Sequence, residues 1–274
     1  MIFSYDRIVY MFEQIVLGAI QGIFEWLPVS SEGIIVLIEK NFFNSEASLE
    51  IIIKHALFLH FGTFLAALIY FHKDVLKLIK ALFNFKSANS KTQETLKFLI
   101  ITSLIGGFFG FILMKVFAGM EEQLELSTKI ITLIIGLLLL ITGWLQIRTK
   151  KIKTKEIKRI KNKDSILLGF VQALAALPGL SRSGLTVSAL LLRKFNSTSA
   201  LKLSFLMSLP MVLGGNIILN LNNFTFSLEL MLGLLFSFIF GLLTISLLLK
   251  IAKKINFGYF VLVFGGLVIT SLFF

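Results

Sequence analysis

Apolar residues run along this chain in long blocks, and polar residues arrive in short interruptions between them. Ten apolar segments can be read, over 8–27, 30–39, 51–71, 95–117, 128–147, 165–177, 183–192, 201–219, 228–249 and 256–274. The block TKIITLIIGLLLLITGWLQI at 128–147 is long enough to cross a bilayer, which takes about 20 helical residues. The segments over 30–39, 165–177 and 183–192 are too short for that and are expected to be re-entrant or interfacial. The first segment contains Glu13 and ends in Trp26, Leu27 and Pro28 instead of a small-residue cleavage site, so it is expected to stay in the mature protein.

Composition agrees with this pattern. Of 274 residues 56% are hydrophobic and 15% charged, against roughly 25% charged in soluble domains. Cysteine is absent, which excludes disulfides, thiol nucleophiles and thiolate metal sites. The formal charge of +12 invites a nucleic-acid reading. The positions argue against it: 21 of the 27 Lys and Arg residues fall in four connections, 73–97, 148–163, 193–202 and 250–254, that flank apolar runs. The opposite connections, GMEEQLEL and NLNNFTFSLE, are acidic or neutral, so the basic side is expected to face the cytoplasm. This layout closes only if 8–39 dips into the membrane from the outer side and 165–192 from the inner side. Lys- and Arg-rich 148–164 reads as a basic cytoplasmic linker between two halves.

Those halves echo each other. LGAIQGIFEWLPVSSEG at 17–33 aligns, with one gap, on LGFVQALAALPGLSRSG at 168–184. The expected fold is therefore an all-α integral membrane protein, an inverted repeat of five segments per half, with about six full transmembrane helices plus two re-entrant helix pairs. The first repeat covers 1–147, with its re-entrant pair at 8–39 followed by three transmembrane helices. The second covers 165–274, with its pair at 165–192 and three more. Interrupted helices at matching places in two halves point to a binding site near mid-membrane.

The polar breaks carry the candidate chemistry. Pro28 and Pro178 stop a helix, the serines behind them suit the N-cap of the next, and Gly33 and Gly184 permit close backbone approach. Two helix N-termini brought together make an anion site. Arg182 adds a permanent charge with a fork suited to phosphate, and unpartnered in a membrane it would cost roughly 2.5–3.5 kcal/mol or more. Its expected partner is an anionic ligand, Glu25, or both. Gln21 and Glu25 share a helix face. Glu25 can hold a divalent cation, act as a base or pair with Arg182; Ser30, Ser31, Ser181 and Ser183 can donate to phosphate oxygens, and one can be a nucleophile. Any one serine is more simply a helix cap, but the cluster as a whole favours function. His55 and His60 fall on the third segment, where packing is at least as good a reading as lining a cavity. Asn216 is expected to hydrogen-bond between helices, and Pro210 to kink its helix.

QGIFEWLPVSSEGI and PGLSRSG resemble the paired motifs of the undecaprenyl-diphosphate phosphatase family, the membrane enzymes linked to bacitracin resistance. The likeness continues through LHFGTFLAALIYF, GFVQALAALPG and LSFLMSLPMVLGG, over nearly the whole chain. The resemblance implies hydrolysis of a polyprenyl diphosphate to the monophosphate for lipid-carrier recycling, usually with a divalent metal, Mg²⁺ or Ca²⁺, and a plasma-membrane site open to the outer face. Carried over by position, Glu25, Ser31 and Arg182 take the catalytic places, with Glu25 also the metal ligand. Gln21, Ser30, Glu32, Ser181, Ser183 and Thr186 take substrate-binding places. Three positions depart from the family pattern: Gln21 where many members carry glutamate, Glu32 where a small residue is common, and Ile34 in place of a histidine. The departures suggest an archaeal-type branch, with a dolichol-like lipid as the alternative substrate. Ser31 is then the candidate nucleophile, with Glu25 or Glu32 as base or metal ligand. A polyprenyl-phosphate flippase and a non-catalytic relative are the alternatives. The partners expected are the lipid and the membrane, with a homodimer left open.

Overall fold

The computed structural model describes residues 5–123, 127–148, 160–220 and 227–273. The basic linker lies mostly outside the described residues, as do parts of the two acidic or neutral connections. The described residues form eleven α-helices and two short 3₁₀ turns, with no strand among them. In chain order these are α1 (Tyr5–Phe24), α2 (Ser31–Asn41), α3 (Leu49–Tyr70), α4 (His72–Phe83), α5 (Ser90–Gln123) and α6 (Thr128–Arg148). They continue with α7 (Asn162–Leu174), α8 (Arg182–Leu192), α9 (Ser197–Asn220), α10 (Leu228–Lys254) and α11 (Gly258–Thr270).

Six of these, α1, α3, α5, α6, α9 and α10, are long and apolar enough to cross a membrane. The set differs from the sequence expectation at its ends. Helix α1 qualifies as a span, and α11 with its 3₁₀ extension, Gly258–Phe273, is a shorter apolar helix. The connection 73–97, expected to be a basic loop, contains α4 and the turn Phe85–Ser87. Its helical period is masked by lysines. Lys73, Lys77 and Lys80 share one face, while half-buried Val75 and Leu78 and buried Ala81 face inward. Helix α9 runs on through Pro210.

Helix α1 packs along α10, α7 along α5, and α6 along α11, while α3 lies against both α9 and α10. With little hydrophobic drive between helices in lipid, small residues that let backbones approach set such contacts. Gly18 of α1 and Gly233 of α10 meet in this way: a Cβ on Gly18 would fall on the Gly233 carbonyl. One apolar core gathers Leu17, Ile35, Ile52, Ile135 and Leu139. A second gathers Trp26, Phe98, Phe195, Phe205 and Met207. The broken segment 25–30 puts Leu27 and Val29 in the first core and Trp26 in the second, and Ala176 of the segment 175–181 packs against the first. Asn216 of α9 donates to the Leu57 carbonyl of α3 at 2.9 Å, the expected interhelical bond.

Candidate functional site

Each break is built alike. Helix α1 stops at Phe24, Pro28 follows, and Ser30 caps α2 by accepting from the Gly33 N–H at 3.1 Å. Helix α7 stops at Leu174, Pro178 follows, and Ser181 caps α8 by accepting from the Gly184 N–H at 3.1 Å. Both helix starts thus have non-helical caps and N–H groups at their first turn. Between Pro178 and Ser181 the chain turns at Gly179, whose φ of +103° is left-handed territory where a side chain would be strained.

The two breaks touch. Ser30 Oγ also accepts from the Gly179 N–H at 3.0 Å, and Ser183 Oγ donates to the Leu27 carbonyl at 2.9 Å. Helix α6 braces both from behind: Thr142 donates to the Gly179 carbonyl at 3.2 Å and Gln146 to the Pro28 carbonyl at 2.5 Å. Neither brace residue is singled out by its position in an apolar run.

Glu25 is the centre of the contact network. It is 7% exposed. Its Oε1 pairs with Arg182 Nη2 at 2.5 Å. Its Oε2 accepts from Gln21 Nε2 at 2.9 Å and from Ser31 Oγ at 3.2 Å, and lies 3.2 Å from His60 Nε2. Arg182 spends its second branch on the Ser204 carbonyl at 3.0 Å. Two carboxylate oxygens thus gather four partners from α1, α2, α3 and α8, a geometry that fixes the carboxylate tightly.

Glu25, Ser31, His60 and Arg182 line a cavity of about 280 Å³, together with Ser30, Glu32, Ser181 and Ser183. Glu32 has no hydrogen bond or ion pair among the described residues and faces the same space. Two residues expected to bind substrate stand elsewhere. Gln21 is fully buried behind Glu25 and is not part of the cavity wall. Thr186 is likewise fully buried; it donates to the Arg182 carbonyl and shares a 2.7 Å hydrogen bond with Ser204 Oγ. Gln21 thus bonds the Glu25 carboxylate, and Thr186 the main chain of Arg182.

His60 is the site residue that sequence reading leaves undecided. It lines the cavity from α3, and its Nδ1 lies 2.7 Å from the Ala56 carbonyl. A carbonyl only accepts, so Nδ1 carries a proton and Nε2 is the atom turned to Glu25. Ile34, at the place of the family's histidine, is buried in the first apolar core and does not reach the cavity. The imidazole beside Glu25 therefore comes from another helix, which no spacing within the motif reveals. His55 is held between Glu39 Oε1 at 3.0 Å and Gln14 Oε1 at 2.7 Å, outside the cavity wall.

Fold and site together define an all-α, multi-pass integral membrane protein with a buried charged site between two broken helices. Residues 14–268 match the family model described as Bacitracin resistance protein BacA, and the chain belongs to that family. It is 40% identical over 266 residues to the undecaprenyl-diphosphatase of Methanococcoides burtonii, covering 95% of this chain and 98% of the relative. A protein of the same name from Methanothrix thermoacetophila is 35% identical over 92% of this chain and 93% of its own. One from the bacterium Borrelia recurrentis is 33% identical over 90% of this chain and 92% of its own.

Proposed function

We propose that this protein is a membrane phosphatase that hydrolyses a polyprenyl diphosphate, undecaprenyl- or dolichyl-type, to the monophosphate, returning a lipid carrier to use. The observation that carries the reading is Glu25, clamped by Arg182 and His60 and hydrogen-bonded to Ser31 in a cavity faced by two serine-capped helix starts. Electrostatic stabilisation of the transferring phosphoryl group is the main demand of this chemistry. Arg182 and the first-turn N–H groups of α2 and α8 answer that demand. Ser31 Oγ is the nucleophile. Its attack on the terminal phosphorus forms an Oγ–P bond and breaks the bridging P–O bond, releasing the polyprenyl monophosphate. The hydroxyl proton passes to the Glu25–His60 pair, and water then cleaves the phosphoserine to phosphate. Ser30, Ser181 and Ser183 orient the headgroup, and Gln21 and Thr186 hold Glu25 and Arg182 in place.

A divalent cation, Mg²⁺ or Ca²⁺, fits this site on Glu32 better than on Glu25. Both Glu25 oxygens are engaged, whereas Glu32 has free lone pairs, and no group of three or more His, Asp or Glu side chains suited to a metal occurs among the described residues. One carboxylate plus substrate phosphates is an ordinary Mg²⁺ environment. Bound there, the ion would neutralise phosphate charge. We read the two halves, 1–147 and 165–274, as an inverted repeat joined by the basic linker. The packing of α1 on α10 and of α7 on α5, and the matching caps Ser30 and Ser181, support that reading. Charge distribution supports a plasma-membrane orientation with the basic connections cytoplasmic and the site open outward.

The test is phosphate release from C55 and dolichyl diphosphate by purified protein, with and without Mg²⁺ or Ca²⁺. Arg182→Ala and Glu25→Ala are each expected to lower the rate by at least about 10²-fold. No release from either lipid, with lipid monophosphate crossing vesicles instead, would replace this reading with a flippase.

A further inference from the structure

Gln172 is 2% exposed, and neither its Oε1 nor its Nε2 has a hydrogen-bond partner within the protein. Buried polar groups are nearly always paired, so such a carboxamide calls for an explanation. It lies at the wall of the cavity that holds Glu25 and Arg182. Its repeat mate shows what is different. Gln21 leaves its own Oε1 unpaired but donates from Nε2 to Glu25, four residues further along. Four residues beyond Gln172 stands Ala176, which also lines the cavity, so the second half has no carboxylate to satisfy its glutamine and has space in that place.

The cavity changes character beside Gln172. Nε2 points at α5, where a Cβ on Gly106 would lie 2.9 Å from it. The next residue, Gly107, and Gly214 on α9 also line the cavity, yet nothing stands within 4 Å of where their Cβ atoms would be. Neither has a positive φ. Packing and backbone conformation therefore do not require glycine at these two positions, and glycine in a helix interior costs about 1 kcal/mol relative to alanine. Together with Phe111 and Met114 on α5 and Leu219 on α9, they form an apolar groove between α5 and α9 within the same cavity.

We propose that Gln172 is a substrate-binding residue that hydrogen-bonds the lipid-side phosphate of a polyprenyl diphosphate, with the isoprenoid chain leaving along the glycine-faced groove between α5 and α9. The inference rests on the phosphatase reading and adds to it. In the lipid-free protein the carboxamide is enclosed against Gly106; on binding it turns toward the space at Ala176, where Nε2 donates to a phosphate oxygen while the terminal phosphate lies toward Arg182 and Ser31. An unpaired carboxamide awaiting an anion is destabilising in the lipid-free protein and useful in the complex.

Gln172→Leu separates this role from a structural one. Replacing an unpaired buried polar group by an apolar one of similar size removes a desolvation penalty. The detergent-solubilised variant without lipid is therefore expected to melt no lower than wild type. KM for C55 polyprenyl diphosphate should rise about 10- to 100-fold, the range for one hydrogen bond to a charged group, with kcat changed less. The upward shift of melting temperature that added polyprenyl monophosphate gives wild type should shrink. Gln172→Glu, nearly isosteric, places an anion beside the phosphate and should raise KM at least as far. Unchanged KM and an undiminished lipid-induced shift in a folded variant would overturn the proposal, as would a lower melting temperature with wild-type KM. Wild-type protein that neither cleaves nor is stabilised by these lipids would instead overturn the phosphatase reading, and this inference with it.

Discussion

Ser30 Oγ accepts two backbone N–H groups, from Gly33 three residues on and from Gly179 in the other half of the chain, at 3.1 and 3.0 Å. One hydroxyl therefore caps a helix and ties the two breaks together. Ser30→Ala leaves both donors buried without a partner. The expected loss is about 1–3 kcal/mol, read as a lower melting temperature in detergent, with a fall in phosphate release because the breaks no longer hold their mutual position. Ser181→Ala, whose hydroxyl accepts only the Gly184 N–H among backbone donors, should cost less.

The glycines of the two motifs are predicted to differ in tolerance. A Cβ on Gly33 would lie 2.7 Å from the Gly179 backbone nitrogen, where neither side can yield cheaply. One on Gly184 would lie 2.5 Å from Gln146 Nε2, the end of a side chain that can swing aside at the expense of its bond to Pro28. Gly119 has open space. Thermal unfolding should therefore rank Gly33→Ala as most damaging and Gly184→Ala as intermediate. Gly119→Ala should be neutral or stabilising by up to about 1 kcal/mol.

His60 is expected to contribute proton transfer. His60→Gln retains an amide donor for Glu25 but cannot exchange a proton. It should fold with nearly the wild-type melting temperature while kcat for polyprenyl diphosphate falls roughly 10²-fold or more. A variant that keeps wild-type kcat would show that the imidazole only packs against Glu25.

Glu32→Gln tests where a divalent ion is held. The Mg²⁺ concentration giving half-maximal rate should rise about 10-fold or more, in keeping with the loss of a direct carboxylate ligand. Melting temperature in the absence of metal should not fall, because Glu32 has no hydrogen bond or ion pair among the described residues to lose. Equal Mg²⁺ dependence in the two proteins would leave Glu25 as the candidate ligand.

Much of this protein is legible in its residue order, for a physical reason. In a membrane every backbone polar group must be satisfied within the protein, and a helix does this inside one segment, so long apolar runs become helices. Proline and serine in the midst of such runs mark where the helix stops and restarts. The breaks at Pro28 and Pro178, the caps Ser30 and Ser181, and the pairing of Glu25 with Arg182 are all of this local kind or follow from the cost of an unpaired charge. Helix α4 escapes such reading because its apolar residues are interleaved with lysines.

What residue order by itself determined is that the chain is an all-α membrane protein with two interrupted helices carrying a carboxylate, an arginine and serines. Only the tertiary structure decided which side chains from other helices complete the site. His60 reaches Glu25 from α3, Thr142 and Gln146 brace both breaks from α6, and Gln172 meets the cavity without a partner. Gln21 and Thr186, which look like ligands in the motifs, stand behind the charges they support. The reason is directional: the spacing of a motif sets which face of its own helix a residue occupies, but what that face meets depends on helix crossings set by contacts far apart in the chain.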